Sequence, residues 1–189
     1  MVLSKLANDT KNTVVSVVKG ADDVLTALRG AVKNQVTGSL KDVTDLATAS
    51  MDAVGEIVTG AVEASGEVGQ SVTAVTKGAV NSALTAVSDV GGNVMKAAAN
   101  AASGAVKGAA DVSGDVGAVA VSAVEGAIEA AGNIGVGTAE VVREAALGAV
   151  KAADEVGTEA GQAVRGALLA AASLPKDIID AALKGSEDK

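Results

Sequence analysis

Three pairs of adjacent carboxylates are the residues of this sequence whose type and spacing could do chemistry. They are Asp22-Asp23, Asp154-Glu155 and Glu187-Asp188. Such pairs could divide general acid and general base roles, or bind calcium. Both uses need a pocket or a loop with ligand spacing, and no such sequence surrounds these pairs. We therefore interpret them as solvent charges on a helix, and we predict an absence of catalytic, cofactor-binding and metal-ligating residues and no enzymatic activity.

Two further polar patterns are regular but point to a solvated surface. Thr26, Thr37, Thr48 and Thr59 lie eleven residues apart, the spacing by which the helical antifreeze proteins of fish present threonine, but Gln70 ends the series. Lysine and acid lie four apart in pairs such as Lys107/Asp111 and Lys151/Glu155. Pairs with that spacing on one helix contribute only about 0.2–0.5 kcal/mol each. We interpret both patterns as the polar face of a helix.

The composition excludes several classes of function. The chain has 189 residues with no Phe, Trp, Tyr, His or Cys, and its formal net charge is −8. Disulfides, thiol nucleophiles, imidazole bases and stacking on nucleobases are therefore absent. The negative charge disfavours binding to nucleic acid and to anionic lipid. No run of about 20 apolar residues is present, so we predict no transmembrane span.

The sequence repeats itself every 22 residues without insertion or deletion. The segment 60–69 reads GAVEASGEVG, and related segments begin at residues 82, 104, 126 and 148. A shorter period of eleven residues lies inside this one. Counted from Lys5 in units of eleven, the eighth position never holds an apolar side chain, whereas the ninth and the second are apolar in 14 of 17 units.

An eleven-residue period predicts α-helix, because eleven residues make three turns at about 3.67 residues per turn. Apolar residues at the second and ninth positions then fall on one side of the helix and form an unbroken stripe. We predict an all-α protein without β-sheet, whose stripe contacts an apolar partner surface. The larger members of the stripe are Val17, Val24, Leu28, Leu46, Ile57, Val68, Val72, Val90, Val94, Val112, Val116, Ile134, Val156 and Leu168.

Glycine recurs with the 22-residue period and allows two interpretations. Val-Gly or Ile-Gly ends the copies at Gly69, Gly91, Gly135 and Gly157. Glycine destabilises a helix by about 1 kcal/mol relative to alanine, so each could mark a turn between short helices. Glycine could instead let a second backbone approach closely. The shorter period runs through all copies and favours helix that continues, straight or kinked, across the glycines; helices broken at Val-Gly and folded back as hairpins or a spiral are the alternative.

The chain divides by pattern into four parts. We assign residues 1–4 to an N-terminal lead, 5–172 to the repeat region, 173–185 to a short C-terminal helix and 186–189 to a tail. Ser173 could cap the C-terminal helix, Pro175 suits its first turn, and Gly185 could end it.

Unbroken eleven-residue amphipathic repeats rich in Ala, Val, Gly and Thr resemble those of synucleins, perilipins and exchangeable apolipoproteins. The low aromatic content is also similar to that of the bacterial phasins, which coat polyester granules. The resemblance covers about residues 5 to 170 and is one of architecture and period, with GAVxAAxxVG in place of the synuclein core motif. It implies a protein that coats a surface.

Two functions follow for an amphipathic helix of this kind. The first is a non-enzymatic coat on a lipid, storage-granule or other apolar surface, and the net charge favours a neutral lipid or polymer. We expect such a protein to be intracellular and peripheral to the granule or lipid. The alternative is a structural self-assembling protein, a bundle, spiral or filament, in which the stripe packs on itself or on further copies of the chain as a homo-oligomer.

Overall fold

The computed structural model describes residues 2–18, 23–41 and 49–187 and contains nine α-helices and no strand within them. The helices are α1 (Val2–Val18), α2 (Val24–Lys41), α3 (Ala49–Glu63), α4 (Val72–Asp89), α5 (Val94–Asp111), α6 (Val116–Ile134), α7 (Thr138–Val156), α8 (Thr158–Ala170) and α9 (Lys176–Glu187). The predicted all-α class without β-sheet is confirmed for these residues.

The helices form two layers. The odd layer places α1, α3, α5, α7 and α9 side by side, and the even layer does the same with α2, α4, α6 and α8. Each helix also contacts the helices before and after it in the chain, which lie in the other layer. Neighbours in one layer are therefore two helices apart in sequence. The repeating unit of the fold is a pair of helices, one in each layer.

One copy of the 22-residue repeat makes one helix and one turn. The helices α4, α5, α6 and α7 begin at residues 72, 94, 116 and 138, a constant step of 22 residues. The expectation of helix continuing across the glycines is wrong, and the alternative of short helices broken at Val-Gly is confirmed. The chain folds back so that the apolar stripe packs against other helices of the same chain, because five turns of helix already present a complete apolar face.

The turns that follow α3, α4, α5 and α6 are each built by a left-handed residue. Gly69, Gly91, Ser113 and Gly135 have φ angles of 67°, 73°, 53° and 74°, and they lie 22 residues apart. After α4, the Gly91 amide donates to the Ser88 carbonyl at 3.0 Å and the Gly92 amide to the Val87 carbonyl at 2.8 Å. This pair of bonds is the Schellman motif, and glycine adopts its left-handed position without a Cβ penalty.

The next helix is started by a polar residue two places after the left-handed one. Ser71 Oγ accepts from the Ala74 amide at 3.2 Å, and Asn93 Oδ1 accepts from the Lys96 amide at 3.0 Å. Asp115 does the same for α6. Gly137 occupies this position before α7 and makes no side-chain cap. These caps satisfy backbone amides that have no partner inside the helix.

Glycines inside the helices let a second backbone approach closely, which is the second of the two roles predicted from the sequence. A Cβ added at Gly104 of α5 would overlap the carbonyl of Gly55 in α3, and one at Gly148 of α7 would overlap the carbonyl of Ala99 in α5. Gly60 meets the Ala7 carbonyl of α1 in the same way. Backbones in one layer therefore touch directly, which compensates for the small side chains by bringing many atoms into dispersion contact.

The core between and within the layers consists almost entirely of alanine and valine. Its largest fully buried side chains include Leu28, Met51, Ile57, Leu84, Leu168 and Ile179. The Thr59 hydroxyl, on α3, is buried and lies 2.9 Å from the Gly104 carbonyl and 3.0 Å from that of Gly55. A hydrogen bond thus accompanies the closest approach of α3 and α5.

The C-terminal helix differs in detail from the sequence prediction. It begins at Lys176, and the Pro175 carbonyl accepts the amides of Ile178 and Ile179 at 3.1 Å. Ser173 is not its cap, since the Ser173 hydroxyl donates to Glu125 Oε1 of α6 at 2.6 Å. Gly185 lies within the helix and does not end it. The division into lead, repeat region, C-terminal helix and tail stays a prediction.

Candidate functional site

The residues predicted to form the apolar stripe fall into three groups. Buried members lie in the contacts between helices, namely Leu28, Ile57, Val94 and Leu168. Half-buried members are Val24, Val68, Val72, Val90, Val116 and Ile134. Val17, Val112 and Val156 expose 47%, 38% and 47% of their surface, and Leu46 lies outside the described residues. The structure thus turns most of the stripe toward the chain itself.

The position of a stripe residue in its helix decides its exposure. Of the exposed members, Val112 is the C-cap residue of α5 and Val156 is the last residue of α7, so both lie beside turns, and the C-cap residue Val90 of α4 is half-buried. The face that actually packs consists of mid-helix residues such as Ala101, Ala105 and Val106, which are fully buried. A prediction of contact residues from hydrophobicity gives most weight to large side chains. It therefore omits the small residues and glycines that make the contacts.

The adjacent carboxylates do not form a chemical site. Asp154 accepts two hydrogen bonds of 2.7 Å from the Arg165 guanidinium, whereas Glu155 lies 3.0 Å from the Lys107 ammonium. Asp23 accepts from the Thr26 hydroxyl at 2.7 Å, and this bond lowers the pKa of Asp23. Asp22, the Glu187 side chain and Asp188 lie outside the described residues. Each described carboxylate therefore has a structural partner.

Ion pairs connect neighbouring helices of one layer. Lys33 of α2 lies 2.7 Å from Asp89 of α4, and Lys107 of α5 lies 3.0 Å from Glu155 of α7. Lys77 of α4 approaches Glu125 of α6 at 3.7 Å. The prediction of pairs four residues apart is wrong for Lys107, whose partner is 48 residues away. These exposed pairs contribute up to about 1 kcal/mol each to the stability of the fold. Their main contribution is to the order in which the helices lie side by side in a layer.

Two acidic residues, Glu63 of α3 and Asp111 of α5, face each other at a position where the contact between α5 and α7 has an ion pair. Glu63 lies 44 residues before Lys107, and Asp111 lies 44 residues before Glu155, so the two acids occupy equivalent positions. Partial burial of Glu63 and the negative charge of Asp111 raise the pKa of Glu63, while Lys11 opposes the shift. Lys11 itself pairs with Glu67 at 2.9 Å.

The threonine series does not share one face. Thr26 is exposed and bonded to Asp23, whereas Thr59 is 7% exposed and bonded within the α3–α5 contact. Thr48 lies outside the described residues. The interpretation of this series as one polar face is therefore wrong at Thr59.

A hollow with a volume of about 590 Å³ lies near the C-terminal end, between α7, α8 and α9. In the part of the chain that the structure describes, no three potential metal-ligating side chains (His, Cys, Asp or Glu) are grouped to hold an ion. Among the described helices, none combines the length and the apolar character needed to cross a bilayer.

The two layers, the constant step and the backbone contacts are the architecture of an α-helical repeat protein. The fold is similar to the crystal structure of a de novo designed helical repeat protein, DHR7, with a TM-score of 0.50 and 20% identity. The match covers 96% of this chain and 95% of that chain. At this identity the likeness shows the fold alone. No family model matches the sequence, and no curated protein matches it.

Proposed function

We propose that the protein is a non-enzymatic structural helical-repeat protein, in which the apolar stripe holds the helices of the two layers together. The observation that carries this proposal is the use of the stripe within the chain: its small mid-helix members, such as Ala101 and Ala105, are fully buried. Beside the stripe, Gly104 and Gly148 lie in direct contact with the backbones of neighbouring helices. A stripe that is buried in this way serves internal packing between the helices.

A zero-length carbodiimide cross-link tests this function, because it joins an amine to a carboxylate only where the two already meet. The folded repeat protein should give isopeptide links between Lys33 and Asp89 and between Lys107 and Glu155, whose charged groups lie 2.7 Å and 3.0 Å apart. A straight helix on a surface should instead link Lys107 to Asp111. Digestion and mass spectrometry distinguish these products, and exclusive Lys107–Asp111 linkage in lipid-free buffer would overturn the proposal.

The surface coat implied by the eleven-residue resemblance is a second candidate. The observation favouring it is the core, which is built mostly of alanine and valine and buries little area per side chain, so that separating the layers requires less free energy than in an aromatic core. Each separated helix would keep its amphipathic face and could lie on a neutral lipid or polymer. The protein would then be intracellular and peripheral to that surface.

Flotation with neutral lipid droplets, followed by the same cross-link, separates the two candidates. A coat should float with the droplets and lose the Lys33–Asp89 and Lys107–Glu155 links. A structural repeat protein should stay in the aqueous fraction with those links intact. Floating protein that retains both links would show a folded protein attached by its surface and would count against opening of the layers.

A further inference from the structure

The hollow between α7, α8 and α9 combines an apolar wall with positive charge. Leu147 and Val150 of α7 and Ala182 of α9 form the wall, while Arg143 and Lys151 of α7 line it one helical turn to either side of Leu147. Its volume of about 590 Å³ falls within the range of about 300–1,000 Å³ that is typical of small-molecule sites.

The face of α7 that borders the hollow differs in sequence from the equivalent face of α5. Ala99, Ser103 and Lys107 of α5 lie 44 residues before Arg143, Leu147 and Lys151 of α7. On α5, the backbone of Ala99 lies against Gly148 of α7. On α7, Arg143 occupies the position equivalent to Ala99, and the helix beside it, α9, has 12 residues where α7 has 19.

Each of the two acids that line the hollow, Asp154 and Glu155, has a basic side chain as its ion-pair partner. Asp154 is held by two hydrogen bonds from Arg165, and these bonds lower the pKa of Asp154. Glu155 is paired with Lys107 at 3.0 Å. Within the described residues, Arg143 and Lys151 have no ion pair within 4.0 Å, although Glu140 and Asp177 share a neighbouring hollow with Arg143. Among the described side chains, Arg143 and Lys151 are therefore the positive charges of this hollow without an ion-pair partner, and they lie beside its apolar wall.

We propose that this hollow binds a single-chain amphipathic anion, such as a long-chain carboxylate. The carboxylate would accept two hydrogen bonds from the Arg143 guanidinium, because arginine presents two donors that match its two oxygens, and Lys151, two helical turns further along α7, would add favourable positive charge. The alkyl chain would lie mainly on the half-buried Leu147, since Val150 and Ala182 are already buried in the fold. Ligands that rely on ring stacking are disfavoured, since the chain contains no aromatic residue.

Calorimetric titration of the full chain with decanoate, below the concentration at which decanoate forms micelles, tests this site. We expect saturable binding of one decanoate per chain and no binding of acetate, which has the charge without the chain, or of decyl maltoside, which has the chain without the charge. Binding of acetate as strong as that of decanoate, or binding of decanoate only as micelles, would refute the proposal. Attachment to anionic vesicles without binding of monomeric decanoate would refute it as well.

Variants locate the site. Arg143→Gln combined with Lys151→Gln should weaken decanoate binding roughly tenfold or more, since both charged partners of the carboxylate are lost. The matched control, Lys5→Gln with Lys41→Gln, removes the same charge at exposed positions of α1 and α2 and should bind as the parent does. Equal binding by the two double variants would overturn the assignment.

A third variant separates the apolar wall from the charge. Leu147→Ser introduces the residue type found 44 positions earlier at Ser103, and it leaves the net charge unchanged. It should weaken binding of decanoate more than binding of hexanoate, because the longer chain loses more apolar contact. An equal effect on both ligands would contradict the predicted position of the alkyl chain. Circular dichroism of each variant confirms that the helices persist, and the cross-links of the structural proposal are read independently of ligand binding.

Discussion

The α5–α7 contact and the α7–α9 contact use equivalent faces of two helices in opposite ways. On α5, the backbone of Ala99 lies against Gly148 of α7, and Lys107 reaches across to Glu155 at 3.0 Å. On α7, Arg143 and Leu147 occupy the equivalent face, and a hollow of about 590 Å³ lies beside it. The comparison shows that close packing here depends on the absence of a side chain at positions such as Gly148, whereas Gly185 of α9, which lines the hollow, has nothing within 4 Å of its Cβ position.

Three further positions depart from the repeat by a single residue. A substitution at each of them compares the departure with its regular counterpart elsewhere in the chain. Ser113 stands in the left-handed position that other turns give to glycine, and Gly137 stands where other helices have a polar cap. Glu63 faces Asp111 where an ion pair is found one pair of helices later. Each departure has a regular counterpart in the chain, which supplies its control.

The largest effect should come from filling a closed contact. Gly104→Ala should lower the free energy of unfolding by about 2–3 kcal/mol, because the added Cβ overlaps the Gly55 carbonyl and backbone cannot move aside. Gly166→Ala in α8 is the control, since nothing lies within 4 Å of its Cβ, and it should gain up to about 1 kcal/mol. Urea denaturation followed by circular dichroism measures both. Equal stabilities of the two variants would show that the backbones are not in contact.

A smaller effect should follow at the turns. Ser113→Gly should raise the free energy of unfolding by up to about 1 kcal/mol, since glycine adopts a φ of 53° without steric cost. Gly91→Ala makes the reverse change at a φ of 73° and should destabilise by about 1–2 kcal/mol. Melting temperatures compare the two. A loss of stability in Ser113→Gly would mean that the serine side chain contributes more than its strain costs.

The missing helix cap should give a gain of about 0.5 kcal/mol. Gly137→Ser supplies a hydroxyl that can accept an amide of the first turn of α7, and Glu140 at the third helical position completes a capping box once it turns aside. Asn93→Ala removes an existing cap and should cost about 1 kcal/mol. Unfolding by urea again provides the measurement, and unchanged stability in both variants would show that these turns are set by glycine alone.

The smallest effect concerns Glu63 and carries a pH dependence. The pKa of Glu63 is raised in the folded protein above its ordinary value of 4.5, so the folded state binds this proton more tightly than the unfolded state does. Its ionised form therefore opposes folding above the raised pKa, and this penalty disappears as the pH falls toward 4.5. Glu63→Gln should stabilise the protein by about 0.3 kcal/mol at neutral pH, discounted for solvent screening.

Glu155→Gln supplies the opposite case, because it removes the partner of Lys107 at 3.0 Å and should destabilise by a similar amount of about 0.3 kcal/mol. Unfolding measured between pH 4 and pH 7 distinguishes them. The gain of Glu63→Gln over the parent should shrink as the pH falls, and a gain that stays constant would assign the effect to something other than the charge of Glu63.

The sequence predicts the helices and their polar faces because both follow from local periodicity. It does not decide where the helices end, since the turn residues Val90 and Val112 remain apolar and continue the eleven-residue pattern through the turn. A recognisable signal was present: a residue that favours the left-handed region, followed two positions later by Ser71, Asn93 or Asp115 as a cap. The contacts between helices 44 residues apart are not local and could not be read from periodicity.

The candidate site was missed for a related reason. Arg143 and Leu147 are unremarkable within α7 and become informative only when they are aligned with Ala99 and Ser103 one pair of helices earlier. The prediction also gives most importance to large stripe residues, and three of these, Val17, Val112 and Val156, expose 38–47% of their surface. Small residues bury little area individually, so hydrophobicity alone underestimates them where glycine permits backbone contact.

The even spacing of the left-handed turn residues limits how a chain of this kind can change its length. Duplication of 44 residues adds one helix to each layer and preserves every neighbouring pair, because contacts extend only to adjacent helices. Duplication of 22 residues exchanges the layer of every helix that follows, and duplication of eleven places a turn in the middle of a helix. Length variants that remain folded should therefore differ by whole pairs of helices.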